Sequence, residues 1–208
     1  MKRLLSKPLR ISNNVRVTAK TLIHLIVLGY LGGLFYFGLN DALGADPVKT
    51  LIHNSGLTAV ILLLITLVIS PLAQRLPCAD LMKFRRLFGV YAFFAALYHL
   101  AIFTVFDLQM NIGLLISEII RRPYITVGLI TFILLLALSL TSFDRIKRKM
   151  GKHWQSLHNY VYLTLFLALL HFSWSEKTLL QTSLYYWLVA FVVMTTRSMK
   201  IKRLFKFK

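Results

Sequence analysis

The chain has 208 residues, 57% of them apolar, and a mean hydropathy of +0.68. Soluble domains run at roughly 45–50% apolar, and here the apolar residues come in long uninterrupted runs, so a soluble globular domain is excluded. The formal net charge of +18 invites a nucleic-acid reading, but no DNA- or RNA-binding motif accompanies it, and the single cysteine, Cys78, excludes an internal disulfide.

Six apolar runs follow in chain order, near residues 21–40, 57–72, 87–106, 124–143, 159–174 and 183–196. Short polar, basic or Gly/Pro-bearing segments separate them, which predicts an all-α integral membrane bundle of six transmembrane helices. Several runs fall short of the roughly 20 residues that a straight crossing needs, so their ends are expected to extend into the flanking polar residues. The first run follows basic residues, as a signal peptide does, but it is longer than a usual signal core. Leu43-Gly44-Ala45 is also a poor cleavage site, so the run reads as an uncleaved first span. Within it, Gly29 and Gly33 form a G-x-x-x-G that permits close helix approach. Asp46-Pro47 reads as a turn in the first outer loop, and Pro123 as the first turn of the fourth span.

The cations are not spread evenly. Segments 1–20, 73–86, 144–159 and 197–208 hold six, four, five and six Lys or Arg, against one, two and one in 41–56, 107–123 and 175–182. By the positive-inside rule this alternation places both termini in the cytoplasm and the three poorly charged loops outside. Cations beside helix ends also match an anionic lipid leaflet, so the charge needs no nucleic acid. No internal repeat, low-complexity segment or linker interrupts the chain, and 1–208 reads as a single domain. No G-x-G-x-x-G follows a strand-like run, so a nucleotide-dependent electron source would be another molecule.

Of the six histidines, His53 falls in the first outer loop and His153 in a basic inner loop, where solvated imidazoles need no special explanation. The other four, His24, His99, His158 and His171, lie in or against apolar runs. An imidazole in hydrocarbon is costly and points to a function. His99 lies about 18 Å along the third span and His171 about 20 Å beyond His158, at about 1.5 Å per residue. At matched depth these two could face each other in the outer half of the bilayer as axial ligands of one haem iron. No C-x-x-C-H occurs, so the haem would be b-type. Ala92, Ala95 and Ala96 beside His99, and Ala168 beside His171, leave room for a flat macrocycle, although small faces also serve plain helix packing. His158 and His171 stand 13 residues apart on one expected helix, which leaves them about 140° apart around its axis. Either that helix is distorted near its start or His158 serves a second, inner haem, for which His24 is the available partner.

Four stretches resemble the MsrQ (YedZ) family: Gly44-Ala45-Asp46-Pro47-Val48-Lys49, Arg85-Arg86-Leu87-Phe88-Gly89, Arg122-Pro123-Tyr124-Ile125-Thr126-Val127-Gly128, and Gly151-Lys152-His153-Trp154-Gln155-Ser156-Leu157-His158-Asn159. The resemblance implies a ferric-reductase-like transmembrane domain in a bacterial inner membrane, with haem b ligands at His99, His158 and His171. It also implies electrons drawn from the quinone pool or a cytosolic flavin reductase. They would leave to MsrP, a periplasmic molybdopterin enzyme that reduces protein methionine sulfoxide. Flavin mononucleotide (FMN) is a further implied cofactor, with Arg85, Arg86 and Lys152 available at the inner face for a phosphate or a propionate. The third span carries only His99, where an oxidase-type domain has two histidines, which leaves the ligands of an inner haem open.

Three functions compete. An electron-transfer subunit transforms no substrate itself. A proton-coupled transporter should carry intramembrane acids, yet all seven acidic residues fall at or beyond the expected span ends. A stand-alone cytochrome acting on quinol or iron shares the same residue physics as the first, and only the resemblance favours the first.

Overall fold

The computed structural model describes residues 10–176 and 182–196. All regular structure among these residues is helical. The basic C-terminal segment 197–208, residues 1–9 and most of the expected third outer loop lie outside the described residues. The chain divides into two compact units, Met1–Leu115 and Ile116–Lys208.

In the first unit, α1 spans Asn13–Leu39, α2 Pro47–Arg75 and α3 Met82–Ile102. The Ser12 hydroxyl caps α1 by accepting from the Val15 N–H, and the Asp46 carboxylate caps α2 by accepting from the Lys49 N–H. Asp46-Pro47 is thus a helix start, with proline in the first turn where it displaces no hydrogen bond. Because α2 begins ten residues before the apolar run, His53 is helical and not in a loop, although its side chain is exposed. Similarly, α1 begins at Asn13, which puts His24 about 16 Å along the helix, deeper than the sequence suggests.

The core of this unit lies between α2 and α3, where Leu67, Ala92 and Ala95 are fully enclosed. Only Val27, Leu31 and Leu34 of α1 are buried, a stripe of one helical face, with Leu34 packed against Leu51 and Ile102. Its other faces leave Leu25 64% and Ile26 67% exposed. Water would not tolerate such a surface over a whole helix, whereas lipid does. Gly29 and Gly33 have nothing within 4 Å of an added Cβ, so the G-x-x-x-G makes no close helix approach here. A 3-10 turn, Ala79–Leu81, precedes α3, and Asp80 there accepts from the Ile11 N–H at 2.9 Å and pairs with Lys83. After α3 the helix widens into a π turn, Phe103–Asp107. The expected outer loop 107–123 contains a short helix, α4 (Ile112–Arg121), within which the division between the units falls.

The second unit holds α5 (Pro123–Leu140), α6 (Asp144–Met150), α7 (Lys152–Asn159), α8 (Val161–Ser175) and α9 (Thr182–Thr195). The buried residues of α8, among them Val161, Thr164, Leu165, Ala168, Leu169 and Phe172, recur at helical spacing. Trp187 of α9 donates its indole N–H to the Ser173 hydroxyl at 2.8 Å, and Tyr186 meets Phe172 edge to face. The expected helix carrying both His158 and His171 is two helices. The Tyr160 N–H bonds to the Leu157 carbonyl three residues back, a tightened turn that separates α7 from α8.

Four helical stretches are long and apolar enough to cross a membrane: Asn13–Leu39, Pro47–Arg75, Ala79–Asp107 and Pro123–Leu140. The fifth and sixth expected spans are apolar but shorter, 15 residues in α8 and 14 in α9. At about 1.5 Å per residue α8 measures about 22 Å, against about 30 Å of hydrocarbon.

Candidate functional site

His99 lies three residues before the end of α3. Its Nδ1 stands 2.8 Å from the Ile52 carbonyl of α2, with the Ser55 hydroxyl at 3.5 Å. A carbonyl only accepts, so the ring proton sits on Nδ1 and the Nε2 atom keeps its lone pair. The ring rests on Gly56, where an added Cβ would fall 3.0 Å from Nδ1.

His171 lies four residues before the end of α8. Its Nδ1 donates to the Tyr124 carbonyl of α5 at 2.6 Å, which sets the same tautomer. The ring rests on Gly128, whose added Cβ would fall 2.7 Å from both Nδ1 and Cε1. Each imidazole is half-buried.

His158 is held differently. Its Nε2 meets the Thr141 hydroxyl at 3.1 Å, and its ring stacks on Trp154 with centroids 4.1 Å apart. Thr141 already donates its one hydroxyl proton to the Ala137 carbonyl at 2.7 Å, so towards His158 its oxygen accepts. The ring proton of His158 therefore sits on Nε2, the opposite tautomer from His99 and His171. Trp154 donates its indole N–H to the Thr141 carbonyl at 2.9 Å, and the Lys147 ammonium lies 4.5 Å over the indole ring. His24 on α1 is exposed, and its Nδ1 is hydrogen-bonded to the Tyr91 hydroxyl of α3.

His24 and His99 thus belong to the first unit, and His158 and His171 to the second. Sequence reasoning found all four but missed what holds them: the Ile52 and Tyr124 carbonyls, Gly56, Gly128 and Thr141. Backbone acceptors leave no trace in side-chain chemistry. The only available signal was a glycine within each facing helix.

These features define a multi-pass helical membrane protein with oriented imidazoles inside its helix pairs. Residues 55–169, more than half of the chain, match the family model described as the ferric reductase like transmembrane component. The chain belongs to that family, and membrane electron transfer is the function this membership implies. The matched segment contains His99, His158, Gly56 and Gly128, and it ends two residues before His171.

Proposed function

We propose that the chain is a haem b electron-transfer subunit of the MsrQ (YedZ) type, with six crossings and both termini in the cytoplasm of a bacterial inner membrane. Electrons enter from the quinone pool or a cytosolic flavin reductase and leave to a periplasmic molybdopterin methionine sulfoxide reductase, MsrP. The observation that carries this reading is the shared arrangement of His99 and His171, each donating its Nδ1–H to a backbone carbonyl of the facing helix. Histidines that ligate metal commonly give their other ring N–H to such an acceptor, which fixes orientation and raises basicity.

The donor set fits a haem better than a bare ion. Among the described residues no three His, Cys, Asp or Glu side chains gather to hold a metal ion, whereas a porphyrin brings four nitrogens and asks the protein only for axial ones. His99 and His171 would hold the iron through Nε2. Bound haem supplies one-electron chemistry at a potential that axial ligands and burial set. The chain's own part is to hold both imidazoles oriented, and to exclude water with apolar helices. His158 would ligate through Nε2 only by giving up Thr141, so any inner haem, with His24 as its other ligand, requires that contact to open. The family resemblance also extends to FMN; Arg85, Arg86 and Lys152 at the inner face would hold its phosphate or a haem propionate, with lipid headgroups as their competing partners.

Visible and electron-paramagnetic-resonance spectra of the purified protein and its alanine variants test this. His99→Ala and His171→Ala are each expected to abolish the low-spin ferric signal, and His53→Ala to leave it intact. Absence of a Soret band from the unaltered protein refutes the haem. A coupled assay with and without MsrP then tests the partner: electron flow unchanged by its omission favours a stand-alone quinol or iron cytochrome.

A further inference from the structure

We propose that Gly56 and Gly128 are positioning residues that set the tautomer and the placement of the two imidazoles, His99 and His171. What those imidazoles then hold rests on the haem reading above.

A helical side chain leans towards the N-terminus and covers the turn before it, so the residue at i+4 shields the carbonyl of residue i from outside donors. Ile52 and Gly56 stand in that relation on α2, as Tyr124 and Gly128 do on α5. Glycine at the second position leaves the carbonyl open. In both units an imidazole from the facing helix fills the opening and donates to that carbonyl, at 2.8 Å and 2.6 Å. The ring takes the space where a Cβ would stand: at Gly56 it would meet Nδ1 at 3.0 Å and Cε1 at 3.1 Å, and at Gly128 both atoms at 2.7 Å. A methyl at position 128 forces the His171 ring to shift, and one at position 56 makes the His99 ring give by a few tenths of an ångström, so each hydrogen bond is strained.

The arrangement occurs twice in one register. Acceptor and histidine are 47 residues apart in both units, and the glycine follows the acceptor by four in both. The surrounding sequence repeats in part at the same offset, Gly56-Leu57 as Gly128-Leu129, Ile61-Leu62-Leu63-Leu64 as Ile133-Leu134-Leu135-Leu136, and Ala96-Leu97 as Ala168-Leu169. Other side chains differ. Ser55, beside His99, corresponds to Val127, and Ala95 to Leu167. The acceptor geometry is kept in both halves where neighbours such as these have diverged, as expected if the tautomer is a feature that function requires.

Gly56→Ala and Gly128→Ala in the full chain test the proposal, with Gly29→Ala as control because nothing lies within 4 Å of its added Cβ. Alanine favours helix more than glycine does, so α2 and α5 should form. Both variants are expected to shift the ferric resonance g values and to lower haem occupancy several-fold, Gly128→Ala more because its contact is tighter. The control should match the unaltered protein. A second measurement needs neither haem nor a variant: imidazole 15N shifts of the unaltered haem-free protein should show His99 and His171 protonated at Nδ1. Both glycine variants should lose that signature. Unchanged g values and tautomers in both variants would overturn the proposal. A missing Soret band in the unaltered protein would instead overturn the haem reading, and the 15N shifts would still decide the role of the glycines.

Discussion

At the residue scale, the opposite tautomers of the histidines separate them more sharply than depth does. His158 was legible in the sequence through its 13-residue spacing from His171 and the family-like stretch around it, but its partner Thr141 lies on a different helix and carries no pattern of its own. Thr141→Val keeps the shape of that side chain and removes the oxygen that accepts from Nε2. An unpartnered donor in a half-buried place costs about 1–3 kcal/mol. Thermal unfolding in detergent should therefore show a lowered midpoint, and the fluorescence of Trp154, stacked on the released ring, should change with it. Spectra of a haem held by His99 and His171 should stay as they are. For His99 and His171 the sequence supplied the residue type and its place within an apolar helix. It could not supply the ring orientation, because a backbone carbonyl four residues before a glycine looks like any other until two helices are packed.

At the element scale, apolar runs located the helices but not their ends. Polar residues extended α1 and α2 well beyond the hydrocarbon pattern, since Ser12 and Asp46 cap them where the hydropathy has already fallen. The break at Tyr160 and the turn at Gly151 were hidden for a different reason: neither alters apolar periodicity. Gly151 has φ +52° and ψ −122°, a conformation that side chains rarely adopt, and it closes α6 and opens α7 at once. Gly151→Ala should cost about 1–3 kcal/mol through backbone strain, read as a lower unfolding midpoint. A packing defect should be larger. Leu169 is wholly enclosed on α8, and Leu169→Ala removes contacts that lipid cannot restore, at about 2–5 kcal/mol, measurable in the same denaturation experiment.

At the scale of the molecule, composition alone settled the membrane setting, and four helices of crossing length agree with it. The alternation of cations supports the proposed orientation. Reporter fusions after residues 43, 80, 110 and 147 should read outside, inside, outside and inside in turn, and two neighbouring fusions reading the same side would break the proposed topology. The repetition of one helix-pair geometry in both units shows in the sequence only as a partial match at one offset, Gly56-Leu57 with Gly128-Leu129, Ile61-Leu62-Leu63-Leu64 with Ile133-Leu134-Leu135-Leu136 and His99 with His171, which a reading of apolar runs passes over.

The short reach of α8 ties the protein to its solvent. If α8 is one of the six crossings proposed above, a helix about 8 Å short of the hydrocarbon thickness would draw the bilayer inward or recruit interfacial side chains, and each ångström of mismatch would cost a fraction of a kcal/mol. The polar helix α7 beside it, with Lys152, His153 and Gln155, suits a headgroup layer pulled down to meet it. Acyl-chain length thereby becomes a variable of the second unit: thinner membranes should favour its native packing and thicker ones should oppose it.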